Sequence, residues 1–405
     1  MLAGAAGEAR QWAMRQLVDV ARFFDAPDMV KVSQAHIMAD TEALGEEGVS
    51  FLERIAALPD THRRVRIPTI TDPRGADFSA YKRLRQDESY IALERRTIEA
   101  LRALGVLMTD TCINYQTIIP PVKGEHLAFG DTGSCIYANS VLGARTNFEG
   151  GPSALAAALT GRTPRYGLHL DAARRGTTRF TVRQAPVDLS EWGSLGAIIG
   201  RQMRSYFEVP VIEGIETSPT SDELKHFGAA LASYGSTPMF HMIGVTPEAE
   251  HFDDVIEPST PTHVISQADL SAYRAQYSVA DDTLHVVVFA APQLSLIELQ
   301  QLGQLLDGRR VHPSVALIAT TSPELKRAAD RMGITNQITD AGGLLLEGVC
   351  FYQMHAREIG AANGWRRLMS NSAKLINILG GYDYETVLGT MRSCVESAVA
   401  GRIVR

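Results

Sequence analysis

Four cysteines, Cys112, Cys135, Cys350 and Cys394, are the residues through which this sequence could do its most demanding chemistry. In a chain of 405 residues they are too few for a disulfide framework, so the thiols that matter act as metal ligands or nucleophiles. Cys112 follows the short apolar run Leu104 to Thr109, and Cys350 follows Leu344 to Val349. Both are expected where strands end, and in open α/β sheets ligands bind in the crevice beyond the carboxyl ends of the strands. Ser393-Cys394-Val395-Glu396 has the spacing of a capping box, which places Cys394 in the first turn of a helix ending at Gly401, where the helix dipole favours thiolate. Cys135, in Ser134-Cys135-Ile136-Tyr137-Ala138, reads as a small buried hydrophobe. There is no CxxC pair. Three thiolates from separated segments can hold zinc with a histidine, or an iron-sulfur cluster with one iron open to substrate, and spacing does not choose between them.

A second group of candidates lies between His126 and His169, a stretch dense in Gly, Ser, Thr and Asn where an ordinary fold would place strands or helices. Arg145 is the expected carboxylate clamp, because a planar guanidinium pairs with a carboxylate through two parallel hydrogen bonds. Lys374, in Ser370-Asn371-Ser372-Ala373-Lys374, is expected to bind a carboxylate or assist proton transfer, with Ser372 and Asn371 as hydrogen-bond donors. His36, Asn139, Ser140, Thr146, Asn147 and His241 complete the candidate substrate contacts. Glu248 to Asp254 carries several acidic residues but no ligand spacing, and reads as a solvated loop. The sequence has no G-x-G-x-x-G, phosphate loop, H-E-x-x-H or G-x-S-x-G, so common nucleotide and hydrolase chemistries lose support.

The elements that must position these residues are α/β units. From about Leu189 to Met332, helical patterns alternate with short apolar runs, the signature of a mainly parallel sheet. A capping box at Thr220 opens a helix closed at Gly235, and Pro238 to Val245 reads as a strand. Leu284 to Phe289 and Val315 to Ala319 read as further strands, Leu294 to Leu306 as a helix between them, and Ser322-Pro323-Glu324 opens another helix closed by Gly333. Helices are expected near 5–24 and 87–104, a loop from Thr69 to Phe78, and a Pro152-started helix stopped at Gly161. An inserted α/β lobe is drawn at about 190–335, with 1–189 and 336–405 forming the lobe that bears the metal.

With 45% hydrophobic and 21% charged residues, the chain is ordinary globular protein. A net charge of −7 shows no global footprint for nucleic acid or an anionic membrane. No apolar run reaches the ~20 residues of a membrane span, and the first residues lack a secretory leader, so a cytoplasmic protein is expected.

At Ala138-Asn139-Ser140-Val141-Leu142-Gly143-Ala144-Arg145-Thr146-Asn147 the sequence resembles the large catalytic part of the aconitase X family. The resemblance extends through Val32 to His36, Asp110-Thr111-Cys112, His241 with Gly244 to Glu248, Ser370 to Lys374, and Cys394 to Arg402, and so covers nearly the whole chain. It implies an α/β, multi-lobed, aconitase-like fold with mainly parallel sheets flanked by helices. It also implies an iron-sulfur cluster, [2Fe–2S], on Cys112, Cys350 and Cys394, and a small swivelling domain carried by a separate partner chain. Among the family's substrates, Gly130-Asp131-Thr132-Gly133 and Asn147 to Leu155 look most like those of the cis-3-hydroxy-L-proline dehydratases; the alternative is mevalonate 5-phosphate. Asp131 stands where Glu is frequent in the family, and Gly348-Val349 where Asp-Thr is frequent.

The chemistry so implied is removal of water from a β-hydroxy acid, which requires taking a weakly acidic α-proton and expelling hydroxide. A Lewis acid eases the second step, and cationic groups on the carboxylate ease the first. In the wider superfamily the α-proton base is a serine of the swivelling domain, which places that base on the partner. Two other classes stay open: a zinc hydro-lyase using the same thiols, and a non-catalytic iron or redox sensor acting through RNA, against which the negative charge argues.

Overall fold

Helix signals in the sequence translate into caps with few exceptions. Thr220 and Glu223 form the expected reciprocal capping box, Ser295 and Glu298 form another, and Asp40, Asp87, Asp131 and Asp188 each accept a backbone N–H at a helix start. The computed structural model describes residues 1–258 and 260–404. It arranges these elements in three consecutive lobes, each built on its own parallel sheet.

The first lobe contains β1 (Met29–Lys31), β2 (Ala35–Ile37), β3 (Thr69–Thr71), β4 (Ala128–Phe129) and β5 (Arg162–Pro164). β3, β2 and β4 form a parallel sheet in that order, and β1 pairs antiparallel with β5. The second contains β6 (Thr178–Val182), β7 (Pro210–Glu213), β8 (His241–Met242) and β9 (Thr262–Ile265), in the order β8-β7-β6-β9, all parallel. Its helices Leu189–Met203 and Ser221–Gly235 pack closely because Gly196 faces the backbone of Phe227, where an added Cβ would lie 2.2 Å from the carbonyl oxygen. The third contains β10 (Val286–Phe289), β11 (Ala316–Thr321), β12 (Leu344–Glu347), β13 (Arg367–Ser370) and β14 (Glu385–Leu388), parallel in the order β12-β11-β10-β13-β14. Alternation along β10 and β11 sends Val287, Phe289, Leu317 and Ala319 to one face of this sheet and Val286, Val288 and Ile318 to the other, so each face has its own core.

The five-stranded sheet corrects the expected lobe at 190–335. A boundary at 335 would sever β10 and β11 from β12, β13 and β14, and one at 190 would remove β6 from its own sheet. The α/β pattern is continuous on both sides of these points, and only strand pairing shows where one sheet stops. Other differences are smaller: the strand expected from Pro238 is confined to His241–Met242, the Leu104 to Thr109 run contributes a single bridge from Leu107 to Ile70, and the expected Thr69 loop begins with β3. Among the described residues no helix is long and apolar enough to cross a membrane.

Candidate active site

The sheets of the first and third lobes direct the carboxyl ends of their strands toward one another. Arg74, just beyond β3, fastens them: its backbone N–H donates to Gly348 O (3.0 Å), its Nη2 donates to Glu347 O (2.9 Å), and its Nη1 is paired with Asp110. Gly348 has φ +66, and an added Cβ would lie 2.6 Å from the Arg74 guanidinium, so a glycine at this departure from the family pattern fits the clasp. Into this junction run Asp72 after β3, Cys112 after the Leu107 bridge, Asp131 after β4, Cys350 after β12 and Lys374 after β13.

Cys112 and Cys350 meet there. The neighbouring Cys350 thiol, and then burial, push the Cys112 pKa well above the usual thiol value. Asp72 is buried; desolvation, then the charges of Asp131 and Cys112, raise its pKa well above the usual carboxylate range. Its Oδ2 accepts from Gln353 Nε2 at 2.8 Å, while its Oδ1 has no hydrogen-bond partner. Lys374 Nζ lies 3.6 Å from Asp131 Oδ1 and 3.4 Å from Thr132 Oγ1. Burial opposes its charge, but Asp131, Cys112, Cys350 and Asp72 outweigh burial and raise its pKa, so the ammonium persists. His36 Nε2 donates to Thr111 O at 3.0 Å and stands 3.6 Å from Asp72 Oδ1. Burial lowers its pKa and keeps the ring neutral near pH 7.

Behind this cluster Gln353 Nε2 also reaches Asp40 Oδ2 (3.3 Å), and Glu94 accepts from Thr41 Oγ1 (2.8 Å) and Gly75 N (3.2 Å). Burial raises Asp40 to about 6 and Glu94 to about 7. Asp72, Asp40, Glu94 and Gln353 were not among the residues selected from sequence. The signal for Asp72 was its place directly after the Thr-Ile-Thr strand, the same position relative to a strand that singled out the cysteines.

Cys394 corrects the three-cysteine expectation. Helix Met391–Ala400 is capped by Thr390, not Ser393, and packs Cys394 with Met369, Val387 and Val395 on the sheet face that carries Val287 and Phe289. Cys350 belongs to the opposite face, so the sheet stands between the two thiols, and burial alone raises the pKa of Cys394. Cys135 is buried, its thiol donating to Phe129 O at 3.1 Å.

The Ala138–Asn147 segment forms a closed hydrogen-bond network away from the thiols. Asn139 Nδ2 donates to Thr146 O (2.9 Å) and Pro238 O (3.0 Å), and its Oδ1 accepts from Thr146 N (2.9 Å). Ser140 Oγ accepts from Phe240 N, Thr146 Oγ1 from Phe129 N, and Asn147 Oδ1 from Leu168 N and Tyr206 Oη. Arg145 donates to His169 O (3.1 Å) and pairs with Asp171, beyond the far end of helix Thr132–Ser140, whose nine residues span ~13 Å from Asp131. His241 Nε2 donates to Arg174 O at 2.7 Å. Arg145 and His241 line a surface cavity of about 700 Å³ with Arg174 and Glu248, which contains neither Cys112, Cys350 nor Lys374. Ser372 caps its helix by accepting from Leu375 N (3.1 Å) and donates to Ala291 O (2.6 Å); Asn371 is buried in the same loop. Of the residues selected from sequence, the structure thus gathers Cys112, Cys350, Lys374 and His36, keeps Asn371 and Ser372 beside Lys374 as loop and cap, and sets Arg145, His241, Cys394 and the network of residues 139–147 apart from them.

The sequence matches the aconitase X first, second and third domains over residues 1–172, 176–275 and 284–400, the same three units as the sheets. It is 32% identical over 382 residues to the phosphomevalonate dehydratase large subunit of Methanothermobacter thermautotrophicus, covering 94% of this chain and 92% of that one. The chain belongs to the aconitase X family. A cis-3-hydroxy-L-proline dehydratase of Pseudomonas aeruginosa is 33% identical over 99% of this chain and 69% of its own length. The crystal structure of Thermococcus kodakaraensis aconitase X in its holo-form superposes with a TM-score of 0.87 at 28% identity, covering 98% of this chain and 97% of that one. As a member of this family the chain is a dehydratase, that is, a hydro-lyase.

An aconitase-type family suggests an iron-sulfur cluster. The residues present fit a cationic centre: two facing thiols, a buried carboxylate whose Oδ1 lacks a partner, and a second carboxylate share one lysine. Among the described residues no group of three His, Cys, Asp or Glu side chains is placed to hold a metal ion.

Proposed function

We propose that this chain dehydrates cis-3-hydroxy-L-proline to Δ1-pyrroline-2-carboxylate, with a [2Fe–2S] cluster on Cys112 and Cys350 and a small swivelling-domain subunit as its partner. The observation that carries the reading is the Cys112–Cys350 pair, set against Lys374, Asp131 and Asp72 at the mouths of two parallel sheets. When bound, the cluster supplies a Lewis acid for the departing hydroxyl oxygen. The chain's own residues do the rest. Lys374 holds the substrate carboxylate, and its positive charge favours the carbanion character that develops as the α-proton leaves. Asp72 and Asp131 face the ring ammonium, and burial of the cluster limits competing water. Loss of the α-hydrogen and the 3-hydroxyl as water leaves an enamine, which tautomerises to the cyclic imine acid.

The acidic balance around the thiols supports an amino acid over a phosphate ester, since Lys374 can serve one carboxylate beside Asp131 whereas a phosphate dianion calls for further cations. A second reading, mevalonate 5-phosphate, draws on chain length: this chain covers 92% and 97% of two phosphomevalonate dehydratase large subunits but 69% and 67% of two cis-3-hydroxy-L-proline dehydratases. The large-subunit names also support a small partner. The test is anaerobic co-expression with a genomically adjacent small subunit, followed by assay of both compounds with iron, zinc and the visible spectrum recorded. Turnover of the hydroxyproline by a brown, iron-containing pair is expected. Turnover of mevalonate 5-phosphate alone would overturn the substrate, and a colourless zinc protein would overturn the cofactor.

A further inference from the structure

Gln293 is fully buried between the three lobes and is not one of the residues the reaction calls for. Its backbone N–H donates to Cys112 Sγ at 3.4 Å, and its Oε1 accepts from Cys112 N at 3.3 Å, so one residue grips the cysteine at both backbone and sulfur. Its Nε2 lies 3.2 Å from Asp110 O, 3.3 Å from Thr321 O and 3.2 Å from Val349 O, sharing two protons among three carbonyls. Those carbonyls fix the orientation of the amide, because only the NH2 end can face them. Val349 immediately precedes Cys350. On the remaining side, Gln293 O accepts from Lys225 Nζ at 3.3 Å, and Lys225 is itself buried and paired with Glu298.

We infer that Gln293 is a positioning residue: it holds the Cys112 loop of the first lobe and the Cys350 loop of the third in the register that makes the two thiols face each other. The bridge from Arg74 to Val349 ties the Cys350 loop to the end of β3, and Gln293 ties that loop to the Cys112 loop. A carboxamide can span both because it donates and accepts on the same short arm, and the backbone N–H on Cys112 Sγ favours the thiolate that a metal requires. The inference rests on the thiol pair described above.

The test uses the full-length chain with Gln293→Met, which keeps length without hydrogen bonding, and Gln293→Asn, which keeps the amide but withdraws it by one methylene. The iron-free proteins are treated with diamide, which takes two hydrogens from a facing thiol pair and leaves a disulfide, and the Cys112–Cys350 crosslink is timed by peptide mass spectrometry. Iron content and the visible spectrum are read on separately loaded protein. The wild type is expected to crosslink, each variant at least tenfold more slowly, and the variants to hold less than half the iron. Tyr234→Phe, remote from the thiols, is expected to crosslink at the wild-type rate and controls for general loosening. Should Gln293→Met fail to fold, Gln293→Asn carries the comparison. Wild-type crosslinking rates in a folded Gln293 variant would overturn the inference while leaving the thiol pair standing; a wild type that forms no such disulfide would overturn both.

Discussion

Two regions of this molecule are polar and buried, and they are built in opposite ways. Around Asn139, Ser140, Thr146 and Asn147, the side chains are neutral and their bonds run mainly to backbone groups of neighbouring segments, joined by Tyr206 Oη on Asn147 and the Arg174 guanidinium on Asn139. Around Cys112, Cys350, Asp72 and Lys374, side chains are titratable, one carboxylate oxygen lacks a partner, and the pKa values of Cys112, Asp72 and Lys374 are all raised. The first arrangement is what stabilises a fold, because buried polar groups cost little once satisfied. The second is costly without a ligand, which marks it as the place where something binds. The segment that most specifically identifies the family is thus a hydrogen-bonded staple, and the site proposed for the chemistry is built from shorter, less distinctive pieces.

The comparison is broken or sharpened most directly at the cysteines. Cys112→Ser or Cys350→Ser is expected to lower kcat/KM roughly 10³-fold or more, about 4 kcal/mol of barrier, with loss of the visible spectrum. Cys394→Ala is expected to keep the spectrum and lose only about 1–2 kcal/mol of stability from the apolar core; a bleached Cys394→Ala protein would restore the third ligand. Next comes the staple: Asn139→Leu leaves Thr146 and Pro238 backbone groups unpaired and is expected to cost about 3 kcal/mol in urea unfolding, with the kcat of the surviving folded fraction unchanged. A lowered kcat there would erase the distinction between the regions.

A pH experiment probes the boundary. Asp40 and Glu94 have folded pKa values raised to about 6 and about 7 from 3.8 and 4.5. Between about pH 4 and 7 the folded chain therefore binds more protons than the unfolded one, and these groups make stability fall as pH rises through that window, by on the order of 3 kcal/mol each. Glu94→Gln is expected to remove its share, flattening the urea midpoint between pH 4.5 and 8; an unchanged slope would place Glu94 outside the titrating cluster. The smallest effect is expected at Arg145. Its partner Asp171 is largely exposed, so Arg145→Lys should change stability by less than about 1 kcal/mol and leave KM within twofold. A large rise in KM would return it to the role of carboxylate clamp.

Much of the fold was legible locally. The capping box at Thr220, the apolar strands β10 and β12 and the Gly161 stop are short-range events, decided by residues close together along the chain. The site was legible to the extent that it follows strand ends: Cys112 and Cys350 were found because each follows an apolar run, and by the same rule Asp72 could have been. Cys394 and Arg145 misled for one reason. A capping motif or a family-specific decapeptide says what a residue's neighbours are along the chain, and neither says which face of a sheet it will meet.

The sequence by itself determined the class of elements, the parallel α/β character, the family and two of the metal-ligand candidates, because periodicity, caps and strand-end placement are written over ten to twenty consecutive residues. Only the tertiary structure decided the three-lobe division, the exclusion of Cys394 from the thiol pair and the gathering of Asp72, Asp131, Lys374 and Gln293 around it. Those depend on which strands pair and on which face a side chain leaves, and alternation fixes a face only after a distant segment has chosen its register.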